Sequence, residues 1–158
     1  AIAVAATPKT SSVGMDHSHM PIAVPSDAPT PGLSLILTQD AVSGFNLTLD
    51  LERYALVVPP AEMDMATMMK PSQDAATGFV EGHAHLYVNG EKIRRLYGTR
   101  EHLPGSIFRP GVNQVTVTLN NHGHMAWTVN EKKVLATLFV NPDAKPVIAH
   151  RFESFAAH

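Results

Sequence analysis

Five histidines are spaced so that they could share a metal ion. His83 and His85 are separated by one residue, as are His122 and His124, and His102 lies between the two pairs. Residues two apart in a β-strand leave the same face, so both imidazoles of one pair can reach one ion. Imidazole nitrogens ligate Zn(II), Cu(II) and other first-row metals. The spacing therefore predicts a histidine-ligated metal centre.

Each of these histidines also has an ordinary structural interpretation, because exposed or hydrogen-bonded histidines are common in folded proteins. The sequence leaves open whether the two H-x-H pairs converge on one ion or form separate sites. Glu81 precedes His83 by two residues and shares its predicted face. Its expected role is to hydrogen-bond an imidazole and fix the tautomer, rather than to act as a catalytic base.

The soft ligands of the chain point to copper rather than zinc. There are seven methionines and no cysteine. The absence of cysteine excludes a thiolate zinc site, a disulfide framework and a blue-copper centre. Thioethers bind Cu(I) and imidazoles suit Cu(II), so copper is expected ahead of zinc. Met125 is a candidate axial ligand, and Met63 and Met65 are candidates for a Cu(I)-selective or second position. Packing against the core is the alternative role of these methionines.

The N-terminal segment contributes a further group of candidate ligands. His17 and His19 lie among methionines in a run that is otherwise rich in Ala, Ser, Thr and Pro. Such a segment resists regular structure and could capture ions, although biased tracts also arise by chance. The small residues at 1–6 are typical of an export signal or of the residues that follow one, so a periplasmic location is expected.

Alternating apolar and polar residues predict the strands that position these ligands. A strand over 79–88 turns at Asn89-Gly90 and returns over 92–97, because Asn-Gly favours a two-residue hairpin turn. His102 falls on a predicted loop. Further strands are predicted over 33–38, 45–52, 112–120, 134–140 and 146–152. About seven to nine strands with frequent turns predict an all-β antiparallel β-sandwich, immunoglobulin-like, or a Greek-key barrel.

The remaining sequence defines the domain and excludes several functions. A flexible tail over 1–32, a domain over 33–153 and a short tail over 154–158 are expected. The net charge of −2 gives no electrostatic basis for binding nucleic acid, and no apolar run is long enough to span a bilayer. No G-x-S-x-G, phosphate-binding glycine loop or H-E-x-x-H motif is present, which disfavours the corresponding hydrolases.

Residues 33–140 resemble the small periplasmic copper-binding β-sandwich proteins of copper resistance and delivery, which are cupredoxin-like in fold. The resemblance rests on the strand pattern together with the His and Met composition. It implies sequestration or delivery of copper and a periplasmic partner that donates or receives the ion. It does not imply catalysis.

A more local pattern is similar to that of the copper/zinc superoxide dismutases. His83, His85, His102 and His124 follow the order of a strand H-x-H, a loop histidine and a distant fourth histidine. A dismutase-like copper enzyme is therefore the alternative function. The disulfide and the zinc-loop cluster of that family have no counterpart here. A third alternative is an adhesion or interaction sandwich whose histidines lie at the surface.

Overall fold

Strands make up nearly all the regular structure of the computed structural model, which describes residues 18–157. The strands are β1 (Pro21–Ala23), β2 (Gly32–Gln39), β3 (Phe45–Glu52), β4 (Tyr54–Leu56), β5 (Val80–Val88), β6 (Glu91–Leu96), β7 (Arg100–Leu103), β8 (Asn113–Asn120), β9 (Ala126–Val129), β10 (Lys132–Lys133), β11 (Leu135–Val140) and β12 (Ile148–Glu153). One short helix, α1 (Met65–Met68), and a 3-10 turn (Gly105–Ile107) complete the elements. The predicted all-β sandwich is confirmed. Setting aside the two- and three-residue strands β1, β4 and β10 leaves nine of the twelve described strands, within the expected range.

The strands form two sheets. The smaller sheet has the order β2-β3-β7, and the larger sheet contains the other nine described strands. Within the larger sheet, β8 lies between β5 and β11 and is antiparallel to both. The predicted hairpin is present, since β5 turns at Asn89-Gly90 into β6, and β2 pairs with β3 in the smaller sheet. Asn89 and Gly90 both have positive φ angles, 54° and 84°, as this tight turn requires.

One hydrophobic core lies between the sheets. Alternate residues of β2 and β3 face it from the smaller sheet, while alternate residues of β5, β8 and β11 face it from the larger one. The fully buried members include Leu33, Leu35, Leu47, Ala84, Leu86, Val115, Val117, Leu119, Ala136 and Leu138. Because strand side chains alternate, the intervening residues of β5 leave the opposite face of the larger sheet. His83 and His85 are among those intervening residues.

Both ends of the described chain are attached to the sandwich. β1 pairs in parallel with β9, and Ile22 is buried in the core, within the segment predicted as a tail. At the other end, the backbone N of Leu33 donates to Phe155 O at 2.7 Å, and the backbone N of Ala157 donates to Ser34 Oγ at 3.0 Å. A strand of three residues carries too little alternation to be recognised in sequence. No helix in this part of the chain is long and apolar enough to cross a membrane.

Candidate metal centre

Strand β5 presents two histidines on one face. Ala84 and Leu86 point into the core, so His83 and His85 leave the other face, as the spacing predicted. That face is nevertheless covered, because His83 is only 1% exposed and His85 is fully buried. The two rings are 4.8 Å apart between centroids. Two buried imidazoles on a regular strand are held with little freedom to move apart.

The loop after β8 brings a third histidine to this face. Asn120 pairs with His83 on one side and with Ala126 on the other, so residues 121–125 form a tight return beside β5. The backbone N of His124 donates to Asn121 O at 2.9 Å, and the Asn120 amide donates to His124 O at 3.0 Å. These bonds hold His124 at a φ of 71°, a left-handed conformation that non-glycine residues seldom adopt.

The three rings converge through one nitrogen each. Nε2 of His83 lies 2.9 Å from Nε2 of His85 and 3.1 Å from Nδ1 of His124, and the last two atoms are 3.5 Å apart. These separations are short enough for one ion to lie at the usual metal–imidazole distance of about 2.0–2.1 Å from all three nitrogens. These three residues, the three-histidine centre, can therefore hold a metal ion with one side left for a fourth ligand.

The environment keeps His83 neutral. Burial is the main cause that lowers its pKa to about 2, and the neighbouring His85, His124, Arg95 and His122 lower it further. Its Nδ1 is buried without a hydrogen-bond partner in residues 18–157, so the polar contacts of the ring are made through Nε2. At neutral pH a metal ion would therefore bind a neutral imidazole and would not have to compete with an imidazolium proton.

Tyr54 on β4 and Gly82 on β5 hold the backbone of the ligand-bearing segments in place. The buried hydroxyl of Tyr54 on β4 lies 2.8 Å from His83 O and 2.9 Å from Asn120 O, and bridges the two strands that carry the ligands. Burial raises the pKa of Tyr54 well above its ordinary value, which keeps it a hydrogen-bond donor. Gly82 lies at the same junction, where an added Cβ would come 2.0 Å from Asn120 O. Only glycine allows so close an approach of two backbones.

One aromatic and one charged residue, Tyr97 and Arg95, lie next to the centre at the end of β6. The Tyr97 ring lies 5.2 Å from the His83 ring between centroids, and Tyr97 is 38% exposed. Arg95 is opposite His85 in the β5–β6 register, so both side chains share the face of the centre. Sequence patterns did not single out either residue. Their positions beside the centre follow from the pairing of β5 with β6.

His122 is close to the centre but is not one of its three ligands. Its side chain is 1% exposed, and its Nε2 lies 3.4 Å from Glu81 Oε2. Nδ1 of His122 is buried and has no hydrogen-bond partner among the described residues. The expected contact between Glu81 and an imidazole is therefore present, although it involves His122 rather than His83.

Two of the other predicted ligands lie elsewhere in the described chain, and one lies outside it. His102 was placed on a loop by the sequence, whereas it lies on β7 at the edge of the smaller sheet. Its Nδ1 is 3.0 Å from Asn46 Oδ1 and 3.9 Å from Asp40 Oδ1, so it takes part in a surface network. His19 is exposed on a turn before β1, and His17 lies outside the described residues.

The methionines divide between the core and the surface. Met125 is half-buried and packs against the hydrophobic core, in which Trp127 is fully buried. Met65 is 57% exposed on α1, and Met63 is half-buried just before it. Met69 was not among the candidate ligands predicted from the sequence.

Met69 is the methionine whose sulfur adjoins the histidine loop. An added Cβ at Gly123 would lie 2.6 Å from Met69 Sδ, and the Asn121 amide donates to Met68 O at 3.2 Å. The end of α1 is thus docked on the loop that carries His122 and His124. This contact places a thioether next to the loop, whereas the sequence had favoured Met63 and Met65.

Comparison with known proteins found no matching family model, no matching curated protein and no matching solved structure. The functional assignment must therefore come from the geometry and chemistry of the centre itself.

Proposed function

We propose that this chain is a copper-binding protein whose domain holds one ion through His83, His85 and His124. The observation that carries the proposal is the convergence of three imidazole nitrogens within 3.5 Å of one another on a buried face. Three imidazole nitrogens, two from β5 and one from the loop after β8, form a ready ligand set. An ordinary surface histidine has no reason to be buried in contact with two others, because each ring must give up its hydration.

The choice of copper rests on relative metal affinities and on nearby thioethers, because histidines alone also bind zinc. Imidazole ligands suit both Cu(II) and Zn(II), but divalent copper generally binds a given nitrogen site more tightly. The docked α1 segment adds thioethers, which favour Cu(I) and contribute little to zinc binding. Met69 is beside the histidine loop and Met65 is exposed. Met63 and Met125 remain candidate soft ligands within this proposal, and the N-terminal His17 and His19 are candidate capture ligands.

The biological role that we propose is sequestration, resistance or delivery of copper in the periplasm. A centre with both imidazole and nearby thioether groups can hold either oxidation state, which suits storage or transfer to a copper-receiving partner. The second candidate is a copper enzyme of dismutase type. It is favoured by the presence of only three protein ligands in the centre, since an open coordination position is a requirement of metal catalysis.

A copper titration with matched variants tests the proposal. Apo-protein is titrated with Cu(II), with Cu(I) under anaerobic conditions and with Zn(II), and bound metal is measured after removal of the free ion. His124→Asn removes a ligand and suits the left-handed backbone at this position, because Asn tolerates a positive φ. His102→Asn makes the same substitution outside the centre. We expect His124→Asn to weaken the copper site by about 100-fold, a typical loss for a disturbed metal site.

Equal copper affinity in His124→Asn and His102→Asn would overturn the assignment of the ligands. Tighter binding of Zn(II) than of copper in either oxidation state would overturn the choice of metal. Superoxide consumption by the copper-loaded protein separates the two candidate roles. Turnover no faster than that of the same amount of free copper leaves the storage or delivery role.

A further inference from the structure

The three-histidine centre has a positively charged neighbour on the β5–β6 hairpin. Arg95 is exposed, and its side chain makes no hydrogen bond or ion pair with any residue in the 18–157 range. It shares a face with His85 through the β5–β6 register. The adjacent Arg94 differs, since it is opposite Leu86 and is paired with Glu101. Of two consecutive arginines, one is neutralised and the other is left beside the centre.

Metal binding would make the position of Arg95 electrostatically unfavourable. Arg95 lies directly opposite His85 on the neighbouring strand, so its side chain leaves the same face of the sheet as the imidazoles. A divalent ion bound by three neutral imidazoles would place two more positive charges near this group. No carboxylate belongs to the centre, whose members are all histidines. One small anion would offset part of the charge of the metal and of Arg95.

The geometry of the centre provides a place for such an anion. The three-histidine centre would supply three nitrogen ligands to a bound ion, which would leave a fourth coordination position to another ligand. His124 is half-buried and Tyr97 is 38% exposed against His83. These are the most accessible rings of the group. A small ligand reaches the centre more readily past them than through the core behind β5.

We propose that the metal-loaded three-histidine centre binds a small anion as its fourth ligand, with Arg95 as the cationic group that recruits it. This inference rests on the proposed function, because it requires a bound metal. An anionic fourth ligand would stabilise bound Cu(II) by offsetting part of its charge. Arg95 acts as a positioning residue, since it contacts the anion rather than the metal.

Azide is the probe that tests this inference. Azide is titrated into Cu(II)-loaded protein and its binding is followed by the azide-to-copper charge-transfer absorption. We expect saturable binding in the wild type, an azide Kd raised by about tenfold in Arg95→Gln, and an unchanged Kd in Arg94→Gln. Added salt should weaken azide binding more in the wild type than in Arg95→Gln, because ions screen the attraction of an exposed guanidinium.

The copper content of every sample is measured, so that the two possible failures are distinguishable. Protein that retains no copper contradicts the proposed function and the inference with it. Copper-loaded protein whose spectrum is unchanged by azide contradicts the inference alone. Equal azide affinity in the wild type and Arg95→Gln would likewise overturn the role of Arg95. Melting curves of both variants confirm that each is folded.

Discussion

Nε2 of His83 lies 3.1 Å from Nδ1 of His124, although 41 positions separate the two residues in the chain. The contact follows from the pairing of His83 with Asn120, after which the loop returns across the same face. The Asn120 amide, hydrogen-bonded to His124 O, fixes the far end of that loop. The centre is therefore built on paired strands, and its ligands are positioned before any ion arrives. Such preorganisation favours tight binding.

Replacing Gly82 with alanine should disrupt both the fold and the centre. An added Cβ would lie 2.0 Å from Asn120 O and 2.7 Å from the Tyr54 hydroxyl oxygen, and the φ of 155° disfavours a side chain. The two ligand-bearing strands would have to separate. We expect a loss of about 3 kcal/mol in the free energy of unfolding, measured by urea denaturation, together with weaker metal binding.

Gly98→Ala is the matched control for this substitution. Gly98 lies in the connection between β6 and β7, where an added Cβ would meet nothing within 4 Å, and its φ is not positive. The free energy of unfolding should change by less than about 0.5 kcal/mol. Equal effects of the two substitutions would contradict the close approach of β5 and the histidine loop.

Tyr54→Phe should destabilise the protein by removing one hydroxyl. That group bridges His83 O and Asn120 O, and all three groups are buried. The expected loss is about 1–3 kcal/mol in the free energy of unfolding, the usual cost of a buried unsatisfied acceptor. Tyr87→Phe on β5 is the control, because no hydrogen bond of its hydroxyl is found within residues 18–157. A smaller effect for Tyr54→Phe than for Tyr87→Phe would show that the bridge does not matter.

The stability of the apo-protein should fall with acid. His83 has a pKa of about 2 in the folded chain and an ordinary value near 6.5 when unfolded, so unfolding takes up a proton below about pH 6.5. The contribution of His83 to stability is thus fully present above pH 6.5 and declines toward pH 2. One proton gives a slope of up to about 1.4 kcal/mol per pH unit. His83→Gln, which cannot take up that proton, should show a shallower slope in urea denaturation between pH 6.5 and 4.5, and an unchanged slope would contradict the buried neutral imidazole.

Metal binding should stabilise the folded chain. An ion that binds only the folded state at 100 times its Kd adds about 2.7 kcal/mol. For a chain of this size, each kcal/mol corresponds to a rise of roughly 2–4 °C in Tm, so an increase of about 5–10 °C is expected. His124→Asn should show little increase, while His102→Asn should behave like the wild type. A rise of the same size in all three proteins would place the stabilising site outside the three-histidine centre.

The fold and the placement of two of the three ligands could be predicted from sequence because they depend on local periodicity. Alternation in β5 placed His83 and His85 on one face, and Asn89-Gly90 marked the turn. His102 was assigned to a loop because strand β7 is only four residues long.

The choice between His122 and His124 could not be made from sequence. Both lie in the 121–125 loop, and only the left-handed backbone at His124 determines which ring reaches β5. Arg95, Tyr54 and Met69 were also beyond prediction, because their contacts depend on strand register and on the docking of α1. These are long-range relationships that no short pattern records.

A structure of the protein soaked with copper, located by anomalous scattering, tests the central claim most directly. We predict one principal copper peak about 2.0–2.1 Å from Nε2 of His83, Nε2 of His85 and Nδ1 of His124. A principal peak at His102 or in the N-terminal segment, with no density between these three nitrogens, would contradict the account.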